Sequence, residues 1–238
     1  MFKRIASVVK SFTKAEKTLW CVSVICIVLS YAAFGGKGAL TLVASLIGVT
    51  SLIFNARGNP FGQALMVVFS VLYGIISYSF AYYGEMLTYV GMTAPMALFS
   101  LIVWLRHPYK GNHAEVEVAR LSKKDCLSML ILTVGVTVIF YFILAYFHTA
   151  NLLPSTISVT TSFLAVYLTY KRSAAYALAY AANDVVLIVL WVLAAQSDRS
   201  YLSVVVCFAA FLLNDLYGYY SWQRMEKRQS NTHLSKNT

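Results

Sequence analysis

Residues 174–195 read AAYALAYAANDVVLIVLWVLAA, a run with a single charged side chain, Asp184. About 20 consecutive apolar residues are enough for a helix to cross the hydrocarbon core of a bilayer. An ionisable side chain at that depth is costly and usually serves a function, so Asp184 marks a candidate site near the middle of the helix. The stretch therefore predicts a transmembrane helix with a polar site inside it.

The whole chain has the composition of a membrane protein. Hydrophobic residues make up 59% of the 238 residues and charged residues only 12%, with a mean hydropathy of +0.68. A soluble domain carries about twice that share of charge, so a water-soluble enzyme, a disordered chain and a nucleic-acid-binding protein are excluded. The four cysteines show no C-x-x-C spacing, and we expect no metal, cofactor or disulfide framework. We predict an all-α polytopic membrane protein.

Eight apolar segments approach the length of a spanning helix. They are residues 19–34, 38–54, 61–80, 86–105, 127–147, 155–170, 174–195 and 201–222. A basic arm precedes the first segment. Residues 223–238 are polar, and we predict a disordered tail there.

The positive charges predict the orientation of the chain in the membrane. Of the 19 Lys and Arg residues, all but Lys37 and Arg199 lie in the two termini or in the loops at 55–60, 106–126 and 171–173. With eight spans, these regions share one side of the bilayer. Loops rich in Lys and Arg face the cytoplasm, so both termini are predicted to be cytoplasmic in a multi-pass protein of the inner membrane.

The chain contains a candidate internal repeat. Arg57 precedes a polar helix and a closing Trp104, and Lys171-Arg172 precedes a second polar helix and a closing Trp222. Two parallel three-helix repeats, joined by the fifth segment, are a transporter architecture with the binding site between the repeats. The predicted divisions are a basic arm with an extra first helix, a first repeat, a basic loop with a linker helix, a second repeat and a cytoplasmic tail, at 1–37, 38–105, 106–154, 155–222 and 223–238.

Polar and aromatic side chains recur at helical spacing in the third, seventh and eighth segments. Their amides offer donors and acceptors, and their aromatic rings can stack on a flat cation. The candidate binding residues are Gln63, Tyr73, Tyr176, Tyr180, Asn183, Asp184, Trp191, Asn214 and Tyr217. The alternative is that these groups hold the helices together, because membrane helices also pack through hydrogen-bonded polar residues.

Three further polar or aromatic residues are assigned structural roles. Trp104 and Trp222 end their segments, which predicts anchors at the membrane interface. Asp215 lies toward the cytoplasmic end of the last segment, where we expect it to pair with Arg57 or Arg172.

Two sets of short motifs occur in order along the chain. The first set is Arg57-Gly58-Asn59, Gly62, Tyr82-Tyr83-Gly84-Glu85-Met86, Pro95 and Trp104. The second set is Asn183 and the run Asn214-Asp215-Leu216-Tyr217-Gly218-Tyr219-Tyr220-Ser221-Trp222. Together they resemble the two halves of PnuC-type vitamin transporters over roughly residues 38–222.

The resemblance implies import of nicotinamide riboside, an NAD precursor, by facilitated diffusion with alternating access. A cytoplasmic kinase would trap the product. It also implies relatedness to SWEET sugar transporters, with the membrane orientation reversed. Many members carry two tryptophans where this chain has Tyr176 and Ala179, and other branches carry thiamine or riboflavin, so the vitamin is left open. The expected partners are the substrate, the lipid bilayer and a homo-oligomer such as a trimer, with no nucleic acid.

Two other functions are alternatives to passive transport. An intramembrane aspartyl protease would use Asp184 and Asp215, but such enzymes usually need a glycine-flanked second aspartate, which Asn214-Asp215-Leu216 does not supply. A proton-coupled carrier would titrate Asp184, although no basic or histidine relay accompanies it. We therefore expect no enzyme activity and favour passive transport.

Overall fold

The computed structural model describes residues 12–35, 38–79, 83–149 and 151–234. Eight helices in these ranges are long and apolar enough to cross a membrane, which confirms the predicted all-α class and the eight spans. They are α1 Lys14–Phe34, α2 Gly38–Ala56, α3 Pro60–Ser79, α4 Tyr83–Arg106, α5 Lys123–Tyr146, α6 Leu152–Tyr170, α7 Tyr176–Ala195 and α8 Leu202–Leu234.

Helix α4 is not a uniform α-helix. Residues Leu87–Thr93 form a π-helical segment between the α-helical turns Tyr83–Met86 and Ala94–Arg106. Segments of this kind often occur at functional sites, because the extra residue turns neighbouring side chains in a new direction. In α4 the segment carries Tyr89, which is buried.

The long basic loop contains a β-hairpin that the sequence analysis did not predict. Strand β1, Pro108–Tyr109, pairs antiparallel with β2, Asn112–Val116. The turn between them consists of Lys110 and Gly111, with φ of 49° and 77°. Two consecutive positive φ values are typical of the tight turns that join hairpin strands.

The prediction of a disordered tail from residue 223 is wrong for the described part of it, since α8 continues to Leu234. One face of this extension is buried, with Met225 and Gln229 6% and 3% exposed. The Gln229 side chain accepts from the amide of Val118 at 2.8 Å and donates to the carbonyl of Val116 at 3.1 Å. The hairpin region therefore covers the extension and stabilises it. Residues 235–238 lie outside the described ranges.

Helices α2–α4 span the first predicted repeat and α6–α8 the second, and we call these sets of helices the first and second unit. Each unit begins with a pair of helices joined by a tight turn. In the first, the Gly58 amide donates to the carbonyl of Asn55 at 2.8 Å. In the second, the Arg172 amide donates to the carbonyl of Thr169 at 3.0 Å. Gly58 and Arg172 both have a left-handed backbone conformation, with φ of 64° and 57°. The two turns thus share one geometry at positions 114 residues apart in the chain.

The flanking helices α1 and α5 also begin alike. Each has a capping box, Thr13 with Glu16 in α1 and Ser122 with Asp125 in α5. Such a box satisfies two backbone donors at the start of a helix. Both helices leave most of their apolar side chains exposed, as expected for helices that face lipid.

Candidate functional site

An aromatic layer closes the core at the basic end, which we define as the end that carries the two tight turns and the hairpin. Trp104 and Trp222 are fully buried, with ring centroids 5.3 Å apart. Tyr176 packs edge-on against Trp222 at 4.8 Å. The prediction that both tryptophans are interfacial anchors is therefore wrong. Their indoles face the protein interior, because each finds a hydrogen-bond partner in the other unit.

Those hydrogen bonds are reciprocal. The indole N–H of Trp104, in the first unit, donates to the carbonyl of Thr169 at 3.0 Å in the second. The indole N–H of Trp222, in the second unit, donates to the carbonyl of Asn55 at 2.8 Å in the first. Both acceptors belong to the tight turns, and both contacts hold the units together at the basic end.

A second aromatic layer lies toward the opposite end of the core. Tyr73 of α3 lies 4.4 Å from Tyr89 of α4, measured between ring centroids. Trp191 of α7 meets Tyr73 edge-on at 6.5 Å. All three side chains are at least 94% buried. This layer joins three helices that belong to both units.

Asp184 and Asp215 lie in the core between the two layers. Each is 4% exposed, and their side chains interact directly with one another. A hydrogen bond between two carboxyl groups requires a proton on one of them. Tyr180, one turn before Asp184 on α7, lies close to both carboxyls. The structure thus places an acidic pair between the aromatic layers.

The pairing of Asp215 with Arg57 or Arg172 is not observed. Arg57 forms its ion pair with Glu16 at 3.7 Å. The Arg172 guanidinium donates to the carbonyl of Glu117 at 3.2 Å. Asp215 points into the core instead, where Asp184 approaches it from the neighbouring helix.

Several buried polar atoms of the core helices make no hydrogen bond in the described part of the chain. They are Ser70 Oγ, Ser77 Oγ, Ser100 Oγ and Asp184 Oδ2. Ser70 in α3 and Asp184 in α7 occupy equivalent positions of the two units, 114 residues apart. Buried polar groups are normally hydrogen-bonded, so a group of such atoms marks a place where a ligand can supply the missing partners.

Asn183 lies beside the pair but points toward α6. Its Oδ1 accepts from the hydroxyls of Ser158, Thr161 and Ser162 at 3.2, 2.9 and 3.0 Å. The amide oxygen therefore holds α6 against α7.

Gln63 and Asn214 also make contacts between helices. The Gln63 amide donates to Asn55 Oδ1 at 2.8 Å and connects α3 to α2. The Asn214 amide donates to Ser23 Oγ at 2.9 Å and connects α8 to α1. Asn214 Oδ1 is buried and makes no hydrogen bond in the described part of the chain, so the predicted binding role of these two residues stays a prediction.

Tyr217 lies outside the core. It lines a cavity of about 440 Å³ at the basic end together with Glu16, Arg57 and Arg224. Its side chain interacts with Thr13 and Glu16 at the start of α1. We therefore leave Tyr217 out of the central group, which contains Tyr73, Tyr180, Asp184 and Trp191 of the predicted residues and has Tyr176 in its wall.

Two residues of the core were missed by the sequence analysis. Tyr89 completes the second aromatic layer. Glu85, at the start of α4, has a buried carboxylate oxygen that makes no hydrogen bond in the described part of the chain. Glu85 falls in the predicted loop between the spans 61–80 and 86–105, where a buried carboxylate oxygen is not expected. The sequence signal that could have indicated this burial is a carboxylate within a few residues of a predicted span.

The charges near the second tight turn are outside the core. Lys171 Nζ lies 2.6 Å from Asp125 Oδ1, and this hydrogen bond raises the pKa of Lys171. Burial lowers the pKa of Arg172. Both side chains belong to the basic end and neither reaches Asp184.

Comparison with known proteins identifies the family. A family model described as "Nicotinamide mononucleotide transporter" matches residues 38–224. The chain belongs to this family. It is a membrane transporter and not an enzyme, and the PnuC resemblance is confirmed.

Members of the family with curated names are distant in sequence but similar in length. The chain is 24% identical over 219 residues to the nicotinamide riboside transporter PnuC of Neisseria mucosa, covering 90% of this chain and 83% of that one. It is 22% identical over 190 residues to the PnuC of Haemophilus influenzae, covering 79% and 81%. A crystal structure of the vitamin B3 transporter PnuC superposes with a TM-score of 0.79 at 21% identity, covering 92% of this chain and 94% of that one. The family fold therefore extends over nearly the whole chain.

Proposed function

We propose that the chain transports nicotinamide riboside through the space between its two units, by facilitated diffusion with alternating access. The observation that carries the proposal is the Asp184–Asp215 pair, buried between two aromatic layers. The substrate is a flat pyridinium cation linked to a ribose. Aromatic faces and a carboxylate attract such a cation, and buried serine hydroxyls without partners in the described part of the chain suit its ribose.

Charge favours the riboside over the mononucleotide named in the description of the family model. Two acidic side chains in contact supply no positive charge with which a phosphate could pair. The helices that carry most of the core, α2, α3, α6 and α7, contain no Lys or Arg. A phosphate with a charge of about −1.5 to −2 would therefore be buried without a partner. The names of the two curated relatives agree with the riboside.

The aromatic layers supply the two gates that alternating access requires. The basic-end layer is fastened by the Trp104 and Trp222 hydrogen bonds across the units. The second layer, with Tyr73 and Trp191, separates the acidic pair from a cavity at the opposite end. Opening one layer at a time would expose the pair to one side of the membrane only.

The cellular context follows from the charge distribution and the family. We infer that the basic end faces the cytoplasm, with both termini there and the chain in the inner membrane. A cytoplasmic kinase would phosphorylate the riboside, and the added charge would prevent its return. The exposed apolar face of α5 offers a surface for a homo-oligomer.

The proposal is tested with purified protein in liposomes. Labelled nicotinamide riboside should equilibrate across the membrane and stop, because passive transport cannot accumulate it. Enclosing a riboside kinase with ATP should then produce accumulation of the mononucleotide. Thiamine should be included as a competitor, since its thiazolium is also a flat cation. Stronger competition by thiamine than by unlabelled riboside would assign the transporter to another vitamin.

A proton-coupled carrier is the second candidate, and the contact between Asp184 and Asp215 is the observation that favours it. A shared proton could leave when the cation binds. In liposomes without kinase, an imposed pH gradient would then drive uptake above equilibrium, and a protonophore would abolish that excess. If uptake is the same with and without the pH gradient, the result supports facilitated diffusion.

A further inference from the structure

A cavity of about 170 Å³ opens at the end opposite the basic end. Its wall includes Gly84 and Glu85 at the start of α4, Thr149 and Asn151 before α6, and Trp191 of α7. Glu85 is the acidic residue of this wall. The cavity therefore brings one carboxylate together with one indole at the far end of the core.

Two polar atoms at this cavity are buried and lack a partner in the described residues. They are Oε2 of Glu85 and Oγ1 of Thr149. They come from separate elements and line the same space. A buried carboxylate oxygen without a donor is costly unless a cation or a hydrogen-bond donor arrives to compensate it. The pair of atoms is thus suited to a positively charged ligand that carries donors.

The charge balance at this end also favours a cation. Among the described residues of the connections at this end, 35, 147–149, 151 and 196–201, Arg199 is the one Lys or Arg, while Lys37 lies outside the described residues. Arg199 is exposed and does not line the cavity. The basic end carries nearly all the other positive charges, so a cation would approach the protein more readily from this end.

Glu85 also reaches the aromatic layer that separates the cavity from the acidic pair. Its carboxylate interacts electrostatically with both Tyr73 and Tyr89. Tyr89 in turn interacts with Asp184 on the far side of the layer. Trp191 belongs to both the cavity wall and the layer. The order along the path is therefore Glu85, the aromatic layer and then Asp184.

We propose that Glu85 forms a separate cation-selecting site at the mouth of this path, where a positively charged nucleoside binds before it crosses the aromatic layer. The inference rests on the proposed function, since it assumes that the substrate is a cation. Glu85 is a specificity-determining residue in this scheme: it distinguishes a charged ring from a neutral one of the same shape. Asp184 and Asp215 then receive the cation in the core.

The test compares two ligands of nearly equal shape. Nicotinamide riboside carries a positive ring, and its reduced dihydro form carries a neutral one. Initial uptake of each is measured with full-length protein in liposomes, for the wild type and for Glu85→Gln. We expect KM for the cation to rise about tenfold, at the low end of the range for electrostatic attraction of charged substrates. KM for the reduced riboside should change less than about twofold.

Two further variants provide the controls. Asp198→Asn removes the same charge at the same end, outside the cavity wall, and Asn preserves the helix cap that Asp198 provides to Ser200. It should leave both KM values unchanged. Glu85→Asp keeps the charge and should keep most of the preference for the cation, which separates charge from folding.

The outcomes distinguish this inference from the function on which it rests. Equal losses for both ligands in Glu85→Gln, or no loss for either, would overturn the cation-selecting site. The same holds if Asp198→Asn reproduces the effect. Failure of the wild-type protein to carry nicotinamide riboside would instead refute the proposed function.

Discussion

The indole N–H of Trp222 donates to the carbonyl of Asn55 at 2.8 Å, across the boundary between the two units. Trp104 repeats the contact in the other direction, to Thr169, which stands 114 residues after Asn55. The third helix of each unit is thus hydrogen-bonded to the tight turn of the other unit. Both bonds must break for the units to separate at this end, which is where the proposed alternating access requires one of its two gates.

Truncating Trp222 should destabilise the protein strongly. Trp222→Ala removes a fully buried ring, which costs about 3–5 kcal/mol in the free energy of unfolding. Trp222→Phe keeps most of the packing and loses the hydrogen bond, at about 1 kcal/mol. Thermal unfolding of purified protein in detergent measures both. A negligible loss in Trp222→Ala would contradict the buried position and favour an anchor at the membrane surface.

Asn183 should prove to be a packing residue. Asn183→Ala leaves the hydroxyls of Ser158, Thr161 and Ser162 without their acceptor and should cost about 1–3 kcal/mol of stability. Affinity for nicotinamide riboside, measured by titration on the folded fraction, should change less than about threefold. A large loss of affinity with unchanged stability would show that Asn183 contacts the substrate.

The Lys171–Asp125 contact should contribute little to stability and should depend on pH in a defined direction. The pKa of Lys171 is raised in the folded protein, so its contribution is complete below the pKa of the unfolded lysine, about 10.4. It is lost as the pH rises through the folded value. Lys171→Met should therefore lower Tm by about 2 °C or less between pH 7 and 9, because partly exposed ion pairs are weak.

A contribution that disappears between pH 5 and 8 would not fit this assignment. The matched control is Arg57→Met, which breaks the corresponding contact between the tight turn of the first unit and Glu16 of α1. Similar small shifts in both variants would support the equivalence of the two turns.

The sequence predicted the spans well because hydropathy is a local property. Each span bound differs from the observed helix by a few residues, apart from the end of α8. Asp184 was identified for the same reason, since a carboxylate stands out in an apolar run. The burial of Trp104 and Trp222 could not be predicted this way. Their acceptors are 65 and 167 residues away in the chain, and a tryptophan at the end of a span resembles an anchor.

The remaining errors also come from long-range contacts. The extension of α8 looked like a disordered tail because its buried face is covered by a hairpin more than 100 residues earlier. Asp215 was expected to meet an arginine because the opposite charge was closest in the predicted topology. Asp184 of α7 contacts Asp215 instead. The sequence pattern of one helix does not indicate which face of a neighbouring helix it packs against. The two units at 38–105 and 155–222 stay a prediction that the equivalent turns support.

Removing the charge of Asp184 should weaken binding of the cation selectively. Asp184→Asn keeps the size of the side chain and a hydrogen-bonding group opposite Asp215. Interactions with a charged group contribute about 1.5–3 kcal/mol, which corresponds to about a 10- to 150-fold loss in affinity for nicotinamide riboside. The neutral reduced riboside should bind nearly as well as to the wild type. Equal weakening of both ligands would assign Asp184 a structural role.

The central claim is that the core binds a cation and has no group that binds a phosphate. Calorimetric titration of the purified wild-type protein with nicotinamide riboside and with nicotinamide mononucleotide tests it most directly. The account predicts saturable binding of the riboside. It also predicts that the mononucleotide binds at least about 100-fold more weakly, because its phosphate would be buried without a partner. Equal or tighter binding of the mononucleotide would contradict the site proposed between Asp184, Asp215 and the aromatic layers.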